Sequence, residues 1–176
     1  MPRRRRSRSI RTYRPLKTMK YSNETVCSGA TWTNITNTDP TYPFPIISPS
    51  NVMGTRKAKN FTIKASLVGT EGLTGSALCA LVYVPEGTNA STTGGLNAGP
   101  GGSTSLAMSL YEPSQNVIAS WVMTYNTSVP VTVASRLARN LNSNDSIWLL
   151  IRPMNNISSD HVLQLNYTCN FALGYN

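Results

Sequence analysis

The sequence has one histidine, three cysteines and seven acidic residues, and each shortage excludes a class of protein. His161 follows Asp160 in a predicted strand, where neighbouring side chains point to opposite faces, so the two cannot form a base–orienter pair by themselves. No two carboxylates have the spacing of a metal or glycosidase pair. Cys27, Cys79 and Cys169 fit neither a disulfide framework nor a zinc site. We therefore predict no enzyme activity, no metal and no cofactor.

Helical and membrane signals are scarce as well. No stretch shows a sustained apolar stripe with the helical period, and no run approaches the roughly 18 apolar residues of a transmembrane helix. The basic start is not followed by the apolar segment of a secretory signal peptide. We therefore expect no membrane insertion.

What the sequence does have is positive charge gathered at one end. The formal net charge is +9. The first twenty residues hold seven arginines, two lysines and no acidic residue, whereas the other 156 hold seven charges of each sign and sum to zero. A block of like charge repels itself and has too little apolar content to fold. We predict a disordered basic arm over residues 1–20 and one folded domain over residues 21–176.

The composition of the arm favours nucleic-acid binding. Each arginine presents a planar fork of donors that stays charged and suits phosphate oxygens. Tyr13 lies between Arg11 and Arg14, so an unpaired base could stack on it while the guanidiniums follow the backbone. Binding of this kind is largely independent of sequence and sensitive to salt. The stretch RRRRSRS also fits a nuclear localisation signal, and a solubility tail is the plainer alternative.

The remaining residues predict an all-β fold. Period-two alternation recurs between clusters of Gly, Pro, Asn and Ser, as in a two-sheet sandwich or barrel. In KNFTIKASLVG and HVLQLNYTCNFAL one face is apolar, whereas Ala77–Val84 and Ser146–Arg152 are apolar on both faces and predict central strands. Further strands are predicted at Glu24–Ser28, Thr31–Ile35, Val117–Tyr125 and Val129–Leu137. The proline-rich TDPTYPFPIISPSN predicts a stiff non-helical excursion, and Pro85–Ser105 predicts a long exposed loop.

Three stretches resemble a known family. ALVYVPEGT (residues 80–88), SRLARNLNSNDSIWLLIRP (residues 135–153) and GTRKAKNFTIKASL (residues 54–67) are similar to capsid proteins of circular, Rep-encoding single-stranded DNA viruses, the circovirus-like group. The resemblance implies a single jelly roll, an eight-stranded antiparallel sandwich of two sheets. It also implies a T=1 shell of 60 copies that packages a circular single-stranded DNA genome. This chain is shorter than circovirus capsid proteins, and its basic arm is much shorter.

The expected partners follow from this resemblance. They are further copies of the chain, the viral DNA, a host nuclear import receptor and a host-cell attachment receptor, with the protein in the virion and in the host nucleus during assembly. The coat protein of a small single-stranded RNA or satellite virus is one alternative. A cellular β protein that binds nucleic acid independently of sequence is another.

Within the folded domain, three cations fall within four residues at positions 56, 57 and 59. They are interpreted either as part of the inner wall of a shell or as a solvated bend on its outer wall. The complete set of predicted nucleic-acid-binding residues is Arg3, Arg4, Arg5, Arg6, Arg8, Arg11, Tyr13, Arg14, Lys17, Lys20, Arg56, Lys57 and Lys59.

Overall fold

A computed structural model describes residues 19–35, 41–51, 53–88, 116–126 and 129–175. These residues form nine strands in two antiparallel sheets. Within these ranges no helix is long and apolar enough to cross a membrane. The strands are β1 (Tyr21–Ile35), β2 (Tyr42–Ile47), β3 (Arg56–Gly69), β4 (Ser76–Val84), β5 (Val117–Thr124), β6 (Val131–Ser135), β7 (Arg139–Leu141), β8 (Ser146–Pro153) and β9 (Ile157–Tyr175).

The strand order identifies the fold as a jelly roll. One sheet has the order β1-β9-β3-β6, with the short β7 also paired to β3, and the other has the order β2-β8-β4-β5. The chain crosses repeatedly from one sheet to the other, and the first and last strands pair along their length. The predicted all-β jelly roll is therefore confirmed, with β7 as an additional strand. Residues 1–18 lie outside the described residues, so the disorder of the arm stays a prediction.

The core lies between the two sheets, where the sequence alternation predicts it. The inward residues of β3, which are Phe61, Ile63, Ala65 and Leu67, are all buried. The inward residues of β9 are buried too: Leu163, Leu165, Tyr167, Cys169, Phe171 and Leu173. Full burial of one such large apolar side chain contributes about 1.5–3 kcal/mol. The register is strongly specified because a slip by one residue would turn this whole set toward solvent.

The two runs that are apolar on both faces are central strands, as predicted. β8 and β4 occupy the middle of the four-stranded sheet. The inward Leu81 and the outward Val82 are both fully buried, as are the inward Leu149 and the outward Leu150. A strand that is covered on both sides needs no polar face, which explains its continuous apolar sequence.

Strand β1 differs from the prediction. The sequence predicts two strands at residues 24–28 and 31–35, separated by Gly29 and Ala30. The structure instead has one strand from Tyr21 to Ile35, paired with β9 almost throughout. β9 offers 19 residues of continuous partner, and its backbone hydrogen bonds outweigh the low strand propensity of glycine.

The proline-rich stretch is non-helical, as predicted, but it contains strand β2. β2 is an edge strand that pairs only with β8. Pro43 and Pro45 lie two residues apart, so their nitrogens point to the same side and both can face away from β8. A strand with two prolines is therefore compatible with the edge position.

The aromatic residues near this edge belong to the core. The sequence leaves Trp32, Tyr42 and Phe44 as either interface anchors or core residues. The Trp32 ring centroid lies 4.8 Å from that of Tyr42 and 6.0 Å from that of Phe44, and Phe44 meets Tyr167 edge-on at 5.8 Å. These rings join the two sheets within one chain.

Candidate nucleic-acid interface

A β-bulge at Asn60 decides which way the body cations point. Lys59 pairs with Ala172 and Thr62 pairs with Asn170, so β3 has one more residue than β9 over this interval. Asn60 has a φ of 57°, a left-handed conformation that asparagine tolerates better than most residues. The extra residue reverses the facing of every β3 residue before it relative to every residue after it.

Because of the bulge, Arg56 points inward and the two neighbouring lysines point outward. Lys57 pairs with Gly174 and Lys59 with Ala172, both on the side of β9 that faces away from the core between the sheets. Arg56 is 6% exposed, and its guanidinium donates a hydrogen bond to the Asp145 carbonyl at 3.0 Å. A phosphate cannot reach a guanidinium that is buried and bonded in this way. The structure thus separates Arg56 from the other two predicted body cations.

The partner of Arg56 belongs to a hydrogen-bonded cluster. The buried Asp145 carboxylate accepts bonds from the Tyr83 hydroxyl at 2.7 Å, the Asn142 N–H at 2.8 Å and the Glu86 N–H at 3.1 Å. Burial, followed by the hydrogen bond and negative charge of Asp145, raises the pKa of Tyr83 to about 12. The cluster ties the ends of β3 and β4 to the turn before β8, so Arg56 has a structural role here.

Met19, the first described residue, lies on the outward side of the five-stranded sheet. Gly174 pairs with Tyr21 and lies on that side. A Cβ atom at Gly174 would lie only 2.7 Å from the Met19 Sδ, so the glycine leaves space for the incoming chain. The Lys59 Nζ then lies 3.8 Å from the centroid of the Tyr21 ring, a cation–π contact. The exposed Lys20 and the outward Lys57 and Lys59 therefore gather at one corner of the sheet.

We call the outward side of this sheet the lysine face. It includes Tyr21, Asn23, Thr25, Cys27, Gly29, Thr31, Lys57, Lys59, Thr62, Lys64, Ser66, Thr132, Ala134, Gln164, Asn166, Thr168, Asn170, Ala172 and Gly174. None of these residues is acidic, and three are lysines. The nearby Glu24 pairs with the core residue Phe171 and so has the opposite facing. The surface is therefore positive and largely polar, and Val68, which pairs with the outward Gln164, is an exposed apolar residue at its far end.

The predicted site residues divide into three groups. Nine of them lie outside the described residues: Arg3, Arg4, Arg5, Arg6, Arg8, Arg11, Tyr13, Arg14 and Lys17. Lys20, Lys57 and Lys59 lie together on or beside the lysine face, and Arg56 does not. Lys64 is exposed on the same face. Sequence alternation places Lys64 outward but does not identify it as a binding residue.

In the part of the chain that the structure describes, no group of three or more His, Cys, Asp or Glu residues is placed to hold a metal ion. His161 accepts or donates a hydrogen bond at 2.7 Å between its Nδ1 and the Ser158 hydroxyl. This contact is local to the start of β9 and lies away from the lysines of the lysine face.

Comparison with known proteins finds similarity of fold only. No protein-family model and no curated protein matches this chain. A chain of the human norovirus GI.7 Houston strain VLP in T=3 symmetry is 12% identical, with a TM-score of 0.48, over 90% of this chain and 32% of that chain. This chain thus spans about a third of the norovirus chain. A chain of the Israeli acute paralysis virus full particle is 10% identical, with a TM-score of 0.44, over 98% of this chain and 81% of that chain.

Proposed function

We propose that the chain is a viral capsid protein that assembles into a closed shell and holds the genome through its basic arm. The observation that carries this proposal is the separation of charge in one small jelly roll. The charges of the body sum to zero, and the arm holds the whole excess of +9. The arm joins the body at the corner of the sheet where Lys20, Lys57 and Lys59 gather. A neutral body can pack against copies of itself without strong repulsion, while a charged tether binds polyanions.

The location of the arm root supports a definite orientation in the shell. The chain leaves the body over the lysine face, so this face is turned toward the genome and the four-stranded sheet is turned away from it. The lysines of this face then neutralise genome phosphates in addition to those neutralised by the arm. Sixty arms of nine charges supply about 540 charges against one per nucleotide, which leaves a kilobase-scale genome partly unneutralised.

The finer assignment is a T=1 shell of 60 copies around circular single-stranded DNA, in the virion and, during assembly, in the host nucleus. The three stretches at residues 54–67, 80–88 and 135–153 support it by their resemblance to circovirus-like capsid proteins. The arginine run supports import through a host nuclear receptor. Attachment to a host-cell receptor belongs to the same assignment. A coat protein of a small single-stranded RNA virus shares the fold and the arm, so the packaged nucleic acid decides between them.

Assembly and the packaged genome test this function directly. The chain is expressed, particles are imaged by electron microscopy, and the protected nucleic acid is digested with DNase and with RNase. We expect closed particles of uniform size whose contents are DNase-sensitive once the shell is opened. RNA alone in particles from the native source would establish the coat protein of an RNA virus. Persistent monomers at high protein concentration would refute both viral functions.

An arm variant provides the matched control. Replacing Arg3, Arg4, Arg5 and Arg6 by glutamine removes four charges from the arm and leaves the folded domain unchanged. We expect particles or folded subunits with reduced nucleic acid, since each lost phosphate contact lowers both the affinity and its salt dependence. Loss of the fold itself, measured by circular dichroism, would mean that the arm is structural.

A further inference from the structure

A shallow cleft of about 570 Å³ crosses the lysine face at the level of Cys27 and Lys64. It spans β1, β9 and β3, and its polar lining includes Lys64, Ser66, Asn166 and Thr168. The cleft lies beyond the corner that holds Lys57 and Lys59, because Lys64 is separated from Lys59 by the bulge and one further outward position, Thr62. It is thus a feature of the folded body rather than of the arm.

Gly29 lies beside the cleft, paired with Asn166 of its lining. A Cβ atom at this position would lie 2.7 Å from the Leu165 carbonyl oxygen and 3.0 Å from the Asn166 Oδ1. The absence of a side chain lets the Asn166 amide lie against the backbone of β1. The Asn166 side chain is therefore held in the lining of the cleft, beside the backbone of β1.

Hydrogen-bonding groups continue in rows across the strands. Cys27 pairs with Thr168, and Thr168 pairs with Lys64, so the three form one row from β1 to β3. The Cys27 Sγ lies 3.5 Å from the Thr168 Oγ1. In the next row the Thr25 hydroxyl donates to the Asn170 Oδ1 at 2.7 Å. Amide and hydroxyl groups offer both donors and acceptors, as the edges of unpaired bases require.

The shape of the face favours a single strand over a duplex. Four strands at a spacing of about 4.8 Å make the backbone of the sheet about 14 Å wide. The major groove of B-form DNA is about 12 Å wide and admits a helix or a two-stranded ribbon, so this sheet cannot enter it. Lys57 and Lys59 are two residues apart, about 6.8 Å, which corresponds to about two nucleotide steps of a stacked strand.

We propose that the lysine face binds a single-stranded nucleic-acid segment that runs along β3 and into this cleft, separately from the arm. Lys57, Lys59 and Lys64 contact phosphates along β3. The amides of Asn166 and Asn170, with the Thr168 hydroxyl between them, contact base edges. The proposal deepens the proposed function and rests on it in one respect, since the bound strand is the nucleic acid that the arm also holds.

The reactivity of Cys27, which lines the cleft, reports directly whether the cleft is occupied. It is the exposed cysteine of the described chain, whereas Cys79 and Cys169 are buried, and burial raises the pKa of each of these two thiols to about 12. Maleimide modification of the full chain, at protein concentrations below assembly, therefore reports on the cleft. The Cys27→Ser variant, which should not react while folded, verifies the assignment.

The probe is a single-stranded DNA oligonucleotide of roughly 16 nucleotides, with the same sequence tested as RNA and as a duplex. At a concentration about ten times Kd, we expect the modification rate of Cys27 to fall about tenfold, because about a tenth of the sites remain free. Protection by DNA or by RNA supports the site, and the stronger protection identifies the preferred strand. An unchanged rate with the oligonucleotide fully bound, or equal protection by the duplex, would overturn the proposal.

Charge variants separate the cleft from the arm. Asn166→Asp places a carboxylate in the cleft, and Asn51→Asp places one in the exposed β2–β3 connection. We expect Asn166→Asp to lower the affinity for the oligonucleotide about tenfold and Asn51→Asp to change it less than twofold. Lys64→Gln should reduce the slope of log affinity against log salt concentration by about 0.7, whereas Lys64→Arg should leave this slope unchanged. Equal losses of affinity in the two aspartate variants would overturn the proposal that the cleft binds the strand. Failure of the chain to form shells would refute the proposed function and leave these measurements on unassembled protein unaffected.

Discussion

The Lys59 Nζ lies 3.8 Å from the centroid of the Tyr21 ring, where the basic arm meets the first strand. A cation over an aromatic face at an exposed site stabilises by about 0.5–1 kcal/mol. The contact joins the outward side of β3 to the start of β1 across the intervening β9. It thereby holds the root of the arm on the lysine face.

Replacing Tyr21 by leucine removes this contact but keeps an apolar side chain. We expect the free energy of unfolding to fall by about 0.5–1 kcal/mol, measured by urea denaturation. The Tyr21→Phe variant keeps the ring and should lie within a few tenths of a kcal/mol of the parent. Equal losses of unfolding free energy in both variants would show that the contact between the Tyr21 ring and Lys59 does not stabilise the fold.

The Asp145 cluster should be among the most sensitive polar sites in the domain. Asp145→Asn keeps the size of the side chain but turns amide hydrogens toward groups that already donate. We expect a loss of about 1–3 kcal/mol in the free energy of unfolding. Tyr83→Phe removes one of the donors and should cost about 1–2 kcal/mol alone, but less in the Asp145→Asn background. Additive losses in the double variant would contradict direct coupling.

The raised pKa of Tyr83 predicts a loss of stability at alkaline pH. The folded chain holds the phenolic proton up to about pH 12, whereas the unfolded chain releases it near 10. Between these values the folded state binds more protons, so the contribution is complete below pH 10 and is lost as the pH rises toward 12. The measurement compares the melting temperatures of the parent and Tyr83→Phe from pH 8 to about 11. The variant should lose less stability over this interval, and parallel curves would refute the prediction.

Gly75 is predicted to tolerate no side chain. Its φ is 150°, and a Cβ atom would lie 2.5 Å from the Tyr125 Cε2 and 2.7 Å from the Asn155 Oδ1. Tyr125 is buried and cannot move aside. We expect Gly75→Ala to lower the free energy of unfolding by about 3 kcal/mol.

Gly72 is the matched control, because it has a φ of 84° but open space around its Cβ position. Gly72→Ala should cost roughly 1 kcal/mol, from the backbone conformation alone. The difference in unfolding free energy between the two variants measures the steric part of the destabilisation at Gly75. Equal losses would mean that Tyr125 and Asn155 relax freely around the added methyl group. Denaturant melts of both variants under the same conditions provide the comparison.

The bulge can be tested at Asn60, whose left-handed backbone suits Asn or Gly. Asn60→Gly should change the free energy of unfolding by less than about 1 kcal/mol, and Asn60→Val should lower it by about 2 kcal/mol. If Asn60→Val removed the bulge instead, Lys57 and Lys59 would turn inward and the oligonucleotide affinity would fall with them. Unchanged stability and affinity in Asn60→Val would contradict the conformation described for this residue.

Most of the architecture could be predicted from local patterns. The alternation of Phe61, Ile63 and Leu67 depends only on the strand period and on which side is buried, and it predicts the core side of β3 correctly. The apolar runs of β4 and β8 predict their central positions for the same reason. The short β7 and the continuity of β1 through Gly29 and Ala30 could not be predicted, because these residues are held in strands by partners distant in sequence.

The candidate site shows the same division. The sequence by itself determined that the charge excess lies in the arm, since composition needs no fold, and it determined the outward facing of Lys64. Only the tertiary structure decided that Arg56 is buried against Asp145 while Lys57 and Lys59 face outward. Simple alternation extended back from Phe61 gives the reverse, because a bulge exists only relative to the strand beside it. The register between β3 and β9 is set by hydrogen bonds between residues about a hundred positions apart, and local sequence does not contain that information.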